Sequence, residues 1–321
     1  MKKLLAVSAM LVLMLAFTAC GKDDKPTVGS VIFEGTNEWF VEATAGMEDA
    51  AKAMNVNLAK SDSHYDVAVE RDLIREQVKN KVSAIVICPL TVEESGAALS
   101  EATKLGIPVV TWNTVVQPAP TSQVTVDAKE LGSATGKYLA EYVKEHGITR
   151  LKAAYMIDNS FSIAIERCDG FRKSVQPLID SGVLTVAVET KGHLYEEACV
   201  TFEKILKEHP DINFIWCWNQ MTTCAAVDVL KREGRSDVIV TGTDMSISLA
   251  EEMLGDKVNL VAVTTQQPYQ MGYQAVEAAV KASKGEKVQG NIVIPTETYV
   301  KSDQKAVQEY IDSHKKFVQK K

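Results

Sequence analysis

Short unbroken apolar runs alternate with amphipathic stretches along this chain, and five of the runs stop at a polar side chain able to hydrogen-bond a ligand. Asn37 follows residues 28–33, Asn113 follows 109–112, Asn219 follows 214–218, Asp244 follows 238–243 and Gln266 follows 258–265. Apolar runs bounded by helices are strands buried on both faces, which belong to parallel sheets covered by helices on either side. In open sheets of that kind ligands sit just beyond the carboxyl ends of the strands. A chain that repeatedly places Asn, Asp and Gln there is built to grip something polar.

The N-terminal segment says where the grip operates. Lys2 and Lys3 precede an apolar or small stretch over 4–17, followed by Thr18-Ala19-Cys20-Gly21. The stretch is too short for a permanent membrane span and suits an export signal. Phe17-Thr18-Ala19-Cys20 resembles a bacterial lipobox, so residues 1–20 are expected to be a lipoprotein signal peptide, Cys20 the lipidated anchor to the outer face of the cell membrane or in the periplasm, and residues 21–27 a polar tether. About 300 residues then remain, more than one core usually organises.

Composition excludes several classes of function. The net charge is −7, and outside Lys315-Lys316 and Lys320-Lys321 no block of basic residues offers a nucleic-acid footprint. Besides Cys20 there are Cys88, Cys168, Cys199, Cys217 and Cys224, without CxxC spacing, so neither a full disulfide framework nor a zinc motif is expected. They read as core or helix-face residues, with Cys217 and Cys224 the one pairing left open. Histidines at 64, 146, 193, 209 and 314 lack metal-ligand spacing. Residues 132–138 fall one residue short of a P-loop and sit inside a predicted helix. Without HExxH, GxSxG or a dinucleotide glycine fingerprint, the chain is expected to be no enzyme and to carry no cofactor or metal.

The alternation of strands and helices restarts around 124–127, predicting two consecutive doubly wound units. A helix over 268–284 and a strand over 291–294 are assigned back to the first unit, and a helix over 304–317 to the second. The chain then crosses between units near Asp127, Gln266 and Pro295. The expected N-terminal lobe is 28–126 with 267–294, and the C-terminal lobe 127–266 with 295–321.

Several marks fall in order along this pattern: Thr36-Asn37-Glu38-Trp39-Phe40, Gly106-Ile107-Pro108-Val109-Val110, Val126-Asp127, Arg167-Cys168-Asp169-Gly170-Phe171, His209-Pro210-Asp211, Gly242-Thr243-Asp244 and Gln266-Gln267-Pro268. In this the chain resembles the sugar-type periplasmic binding proteins of the ribose-binding family, over nearly everything from 28 to 300. The resemblance implies an α/β fold of two doubly wound parallel-sheet lobes joined by a three-segment hinge, the type I periplasmic binding protein fold. It implies a monomeric receptor that captures a small neutral solute, a sugar foremost, and delivers it to ABC permease subunits. It places cleft residues at Asn37, Trp39 and Phe40 in the first lobe and at His193, Asn219 and Asp244 in the second, with Gln266 on the hinge. Amides and carboxylates meet vicinal hydroxyls with paired groups, and aromatic rings cover the C–H face of a sugar.

The chain departs from that family where ribose binders carry an Asp-Arg pair after the fourth strand, having Trp112, Asn113 and Thr114 instead. Ile165 stands at the matching second-lobe arginine, leaving Arg167 as the nearest cation. Trp112, Asn113 and Arg167 therefore join the candidate set, and ribose itself is not the expected ligand. Other readings stay open. Asn37, Asn219 and Asp244 can each be helix caps, His193 an exposed loop residue, and His193 with Asp244 an acid–base pair. The same fold also serves a sensor kinase or chemoreceptor, and a nucleoside or polyol fits the same chemistry. Asp244→Ala and Asn219→Ala are expected to weaken binding by roughly 1–3 kcal/mol at unchanged stability.

Overall fold

The structure is a computed structural model that describes residues 25–160 and 162–318; Cys20 and the export segment lie outside the described residues. The first half of the chain runs β1 (Thr27–Ile32), α1 (Glu38–Ala53), β2 (Asn57–Asp62), α2 (Val67–Lys79), β3 (Ala84–Ile87), α3 (Glu93–Lys104), β4 (Val109–Trp112) and β5 (Ser122–Val126). It continues as α4 (Ala128–Glu145), β6 (Leu151–Ile157), α5 (Ser162–Asp180), β7 (Leu184–Lys191), α6 (Tyr195–Glu208), β8 (Phe214–Cys217), α7 (Gln220–Glu233), β9 (Ile239–Thr243), α8 (Ile247–Leu254) and β10 (Asn259–Thr265). The end is α9 (Pro268–Ser283), β11 (Asn291–Ile294), β12 (Glu297–Val300) and α10 (Gln304–Val318).

The strands form two six-stranded sheets in the orders β11-β5-β4-β3-β1-β2 and β12-β10-β9-β8-β6-β7. The two orders match position for position, so each sheet reverses strand order beside its own first strand, between β1 and β3 and between β6 and β8. Such a switch point opens a crevice at the carboxyl ends of the strands. The pairings are parallel except β12 on β10. The apolar-run pattern does not mark β12, because Glu-Thr-Tyr-Val on a sheet edge needs only one covered face. The chain passes between the sheets at Asp127, at Gln266-Gln267 and at Pro295-Thr296.

Each sheet is covered on both faces. Phe40, Met47, Trp112, Met271 and Val276 pack one face of the first sheet, and Ile74, Ile85, Leu99 and Val109 the other. In the second, Phe202, Leu230, Met253 and Ile311 fill one face, while Leu139, Phe171, Val175 and Trp216 fill the other. Phe171 and Trp216 stack with centroids 4.2 Å apart and planes 9° apart. No helix among the described residues is long and apolar enough to cross a membrane.

Two helix pairs cross closely enough to need glycine. A Cβ built on Gly272 of α9 would lie 2.0 Å from the Ala43 carbonyl oxygen of α1, and one on Gly46 of α1 2.0 Å from the Tyr269 oxygen of α9. Gly132 of α4 and Gly170 of α5 do the same for their pair, each 1.9 Å from a facing backbone oxygen, of Arg167 and Lys129 respectively. The P-loop-like stretch therefore lies inside α4, and Gly132 serves helix packing. Gly272→Ala is expected to lower stability by about 1–3 kcal/mol through overpacking, despite the better helix propensity of alanine. A thermal melt at or above the parent's would show that α1 yields without cost.

Candidate functional site

The carboxyl ends of both sheets carry the residues singled out by sequence. Asn113 follows β4 and Asp244 follows β9, which hold equivalent places in the two sheets, and both adopt left-handed backbone, φ +63° and +65°. Asn and Asp tolerate that conformation better than other side chains. Their backbones turn out of the strand at once.

On the first sheet the site is aromatic. Trp39, at the start of α1, stacks on Trp112 with centroids 5.5 Å apart and planes 21° apart, and Phe40 meets both rings edge-on. Phe40 and Trp112 are buried and belong to the core face beneath α1 and α9, whereas Trp39 is half-buried. Asn113 donates from Nδ2 to the sulfur of Cys88, at 3.8 Å. Burial pushes the Cys88 thiol up to about 12, against the hydrogen bond from Asn113, so it acts as a soft acceptor and no nucleophile. Asn37 caps α1 by accepting from the Trp39 N–H at 2.9 Å.

On the second sheet the site is polar. Arg167, 2% exposed, projects from α5 and donates through Nη1 to the Trp218 carbonyl at 2.6 Å, to Thr243 at 3.1 Å and to Asp244 Oδ2 at 2.8 Å. The other Asp244 oxygen accepts from Gln266 Nε2 at 2.6 Å. This buried chain joins α5, β9 and the hinge. Ser246 caps α8, so Asp244 is no cap. Asn219 caps α7 through Oδ1, accepting from the Thr222 N–H at 2.9 Å, and donates through Nδ2 to the His193 carbonyl at 3.1 Å. The acid beside His193 is Asp158, with Oδ2 3.3 Å from Nδ1, and not Asp244, whose carboxylate is taken by Arg167 and Gln266. The acid–base pairing of His193 with Asp244 is thereby corrected.

Several of the buried polar atoms that lack a hydrogen-bond partner among the described residues belong to this set: Trp39 Nε1, Trp112 Nε1, Asn113 Oδ1, Arg167 Nε and Gln266 Oε1. Donors and acceptors are both present, as a hydroxyl-bearing guest requires. Among the described residues no group of three or more His, Cys, Asp or Glu is placed to hold a metal ion. The five described cysteines are free, Cys217 and Cys224 included, and burial pushes the Cys224 thiol up to about 11.

The sheets also touch through residues the sequence reading did not single out for contact. Asn37 Nδ2 lies 3.9 Å from the Met221 sulfur at the start of α7. Glu38 Oε1 accepts from the Ile247 N–H at 2.8 Å, so an acid on α1 closes the first turn of α8. Burial pushes the Glu38 carboxyl up, against that hydrogen bond. Behind the hinge, Glu42 of α1 meets His314 Nε2 of α10 at 3.1 Å.

Burial disfavours the imidazolium of His314, but the hydrogen bond and charge of Glu42, with the Tyr310 carbonyl and Glu38, outweigh it and hold its pKa above the usual 6.5. A raised value adds stability that is complete below about pH 6.5 and fades as pH rises through the folded-state value. Across that window the parent should lose urea resistance relative to His314→Gln. Parallel pH profiles for the two would show that the contact contributes no proton linkage.

Residues 28–287 match the family described as periplasmic binding protein domain. The chain belongs to the periplasmic binding protein family. The binding protein is 24% identical over 300 residues to the ABC transporter periplasmic-binding protein YphF of Escherichia coli K12, covering 90% of each chain. It is 26% identical over 302 residues to the ribose import binding protein RbsB of the same organism, covering 94% of this chain and 99% of that one. Among solved structures it is similar to the periplasmic binding component of the arabinose ABC transporter from Shewanella sp. ANA-3, with TM-score 0.80 at 19% identity over 92% of this chain and 98% of that one. It is likewise similar to a solute-binding protein from Actinobacillus succinogenes with bound D-allose, with TM-score 0.79 at 20% identity over 88% and 100% of the two chains. Both likenesses give the fold: two mostly parallel sheets linked by three crossings.

Proposed function

We propose that this chain is an extracytoplasmic solute-binding protein that captures a sugar or closely related polyhydroxylated solute between its two sheets and hands it to the permease of an ABC importer. The observation that supports this most is the facing of two unlike strand-end surfaces. The first sheet offers the Trp39–Trp112 stack, and the second offers Arg167, Asp244, Asn219 and His193, with Gln266 at the crossing. A flat indole suits the C–H face of a ring, and buried amides and carboxylates suit its hydroxyls. The curated relatives include a ribose import binding protein, a xylitol-binding protein and a D-xylose-binding periplasmic protein.

In this reading Asn37, Trp39, Trp112, Asn113, Arg167, His193, Asn219, Asp244 and Gln266 surround the solute, and Phe40 backs the two indoles. The lobes are 28–126 with 267–294, and 127–266 with 295–321, and Cys20 carries the lipid that keeps the protein beside its permease. A guest touching both lobes stabilises the closed arrangement, because only there are all its contacts made. Thermal shift against pentoses, hexoses, deoxysugars, polyols and nucleosides, with mass spectrometry of whatever copurifies, tests the proposal. A rise in melting temperature with a neutral polyhydroxylated solute is expected, and its absence across the panel would count decisively against it.

A further inference from the structure

A cavity of about 230 Å³ lies behind the hinge, and its walls come from both halves of the molecule. From the first, α1 supplies Glu42 and α9 supplies Tyr269; from the second, β12 supplies Glu297 and Tyr299, and α10 supplies Tyr310 and Phe317. None of the residues proposed to surround the solute lines it. Sites for drug-sized ligands run to about 300–1,000 Å³, so this one suits a smaller guest.

Four rings line this cavity and neighbouring groups hold them in place. Tyr269 stacks on Phe317 with centroids 5.3 Å apart, and Tyr299 meets Tyr310 edge-on at 5.0 Å. The Tyr269 hydroxyl donates to Asp49 at 2.8 Å and that of Tyr310 to the Met245 carbonyl at 3.2 Å, and neither partner lines the cavity. Those hydroxyl ends are therefore drawn away from it and the rings are left as wall. A cation already uses two of them. Lys316 Nζ lies 4.8 Å from the Phe317 centroid and 5.8 Å from that of Tyr269, within the range over which an ammonium is attracted to a ring face.

The fixed charge favours the same kind of guest. Glu42, 5% exposed, stands at the buried end and accepts from His314 Nε2, while Glu297 is exposed at the mouth. Burial pushes the hydroxyls of Tyr299 and Tyr310 up, and the negative charge of Glu42 and Glu297 pushes both further, with Glu38 adding to Tyr310. A second anion is unwelcome there and a cation is not. We infer that this cavity is a second binding site, taking a small organic ammonium ion on the rings of Tyr269, Tyr299, Tyr310 and Phe317 beside Glu42 and Glu297. Lys316 is its resident competitor, an exposed side chain that an incoming ammonium displaces from the rings. An occupant touching both halves favours the arrangement in which they stand together.

The experiment is calorimetric titration of the full chain with choline and with dimethylbutanol, the uncharged isostere in which carbon replaces the nitrogen. Choline should bind the parent, and the isostere about tenfold more weakly or not at all. Phe317→Leu keeps apolar bulk but removes one ring, and should weaken choline about three- to tenfold with the thermal melt nearly unchanged. Tyr299→Leu, on the edge strand, repeats that test at a second ring. Lys316→Met removes the competitor and should bind choline more tightly than the parent. Equal affinity for choline and its isostere overturns the inference. So does an affinity in Phe317→Leu and Tyr299→Leu equal to the parent's, because choline then sits elsewhere, and so does the absence of choline binding by the parent and Lys316→Met alike. No sugar enters the titration, so its result stands apart from that of the solute panel.

Discussion

Asp244→Ala should lower the unfolding free energy by about 3–5 kcal/mol, the usual result of removing one partner from a buried ion pair. The side chains of Arg167 and Asp244 are 2% and 9% exposed, and no other carboxylate among the described residues bonds that guanidinium. The truncation leaves a cation in the interior and also strands Gln266 Nε2. Reading Asp244 from its strand-end position alone leads to a different expectation, weakened binding at unchanged stability. The structure makes stability the larger effect. Urea titration of the ligand-free protein measures it, and combining Asp244→Ala with Arg167→Met should recover much of the loss, because no orphaned charge remains. A urea midpoint equal to the parent's would mean that Arg167 reaches water whenever ligand is absent.

Glu38→Ala should shift the molecule toward its open form and weaken solute binding about tenfold. A hydrogen bond to an ionised group is worth about 1.5–3 kcal/mol, and about 1.4 kcal/mol is a factor of ten in a population. Burial that pushes the Glu38 carboxyl up places the effect at the lower end. Its partner, the Ile247 N–H, belongs to the other sheet's helices, so the bond exists only while the two halves are together. Ligand affinity falls in proportion to the competent population. Small-angle scattering of the ligand-free variant should show a larger radius of gyration than the parent, and Glu38→Gln, whose carbonyl still accepts, should lie between them. Identical scattering and affinity for all three would assign Glu38 to capping alone.

Much of the architecture was legible because it follows from burial. A strand covered on both faces must be apolar throughout, and a helix between two such strands must have one apolar side, so the alternation and the return of α9 and β11 to the first sheet could be read directly. Asn113, Asp244 and Gln266 were legible as interruptions of those runs. Asp158 ends the run 151–157 in the same way and could have been found by the same rule. Which acid lies beside His193 was not legible, because sequence distance says nothing of which strand ends are neighbours, and β6 lies beside β7 while β9 does not. Glu38 and Glu42 were illegible as interlobe contacts. On an amphipathic helix an acid in the first turns is what solvent or the helix dipole would select, and nothing local points to a partner more than two hundred residues away.

The threefold passage between sheets has a consequence for how the polypeptide matures. The core under the first sheet needs Met271, Ala275 and Val276 from α9, and the second needs Val307, Tyr310 and Ile311 from α10. Neither half can therefore finish folding when its first strands emerge from the ribosome. Both cores are thereby postponed to the closing stretch of synthesis, which lengthens the time the polypeptide spends as an open thread.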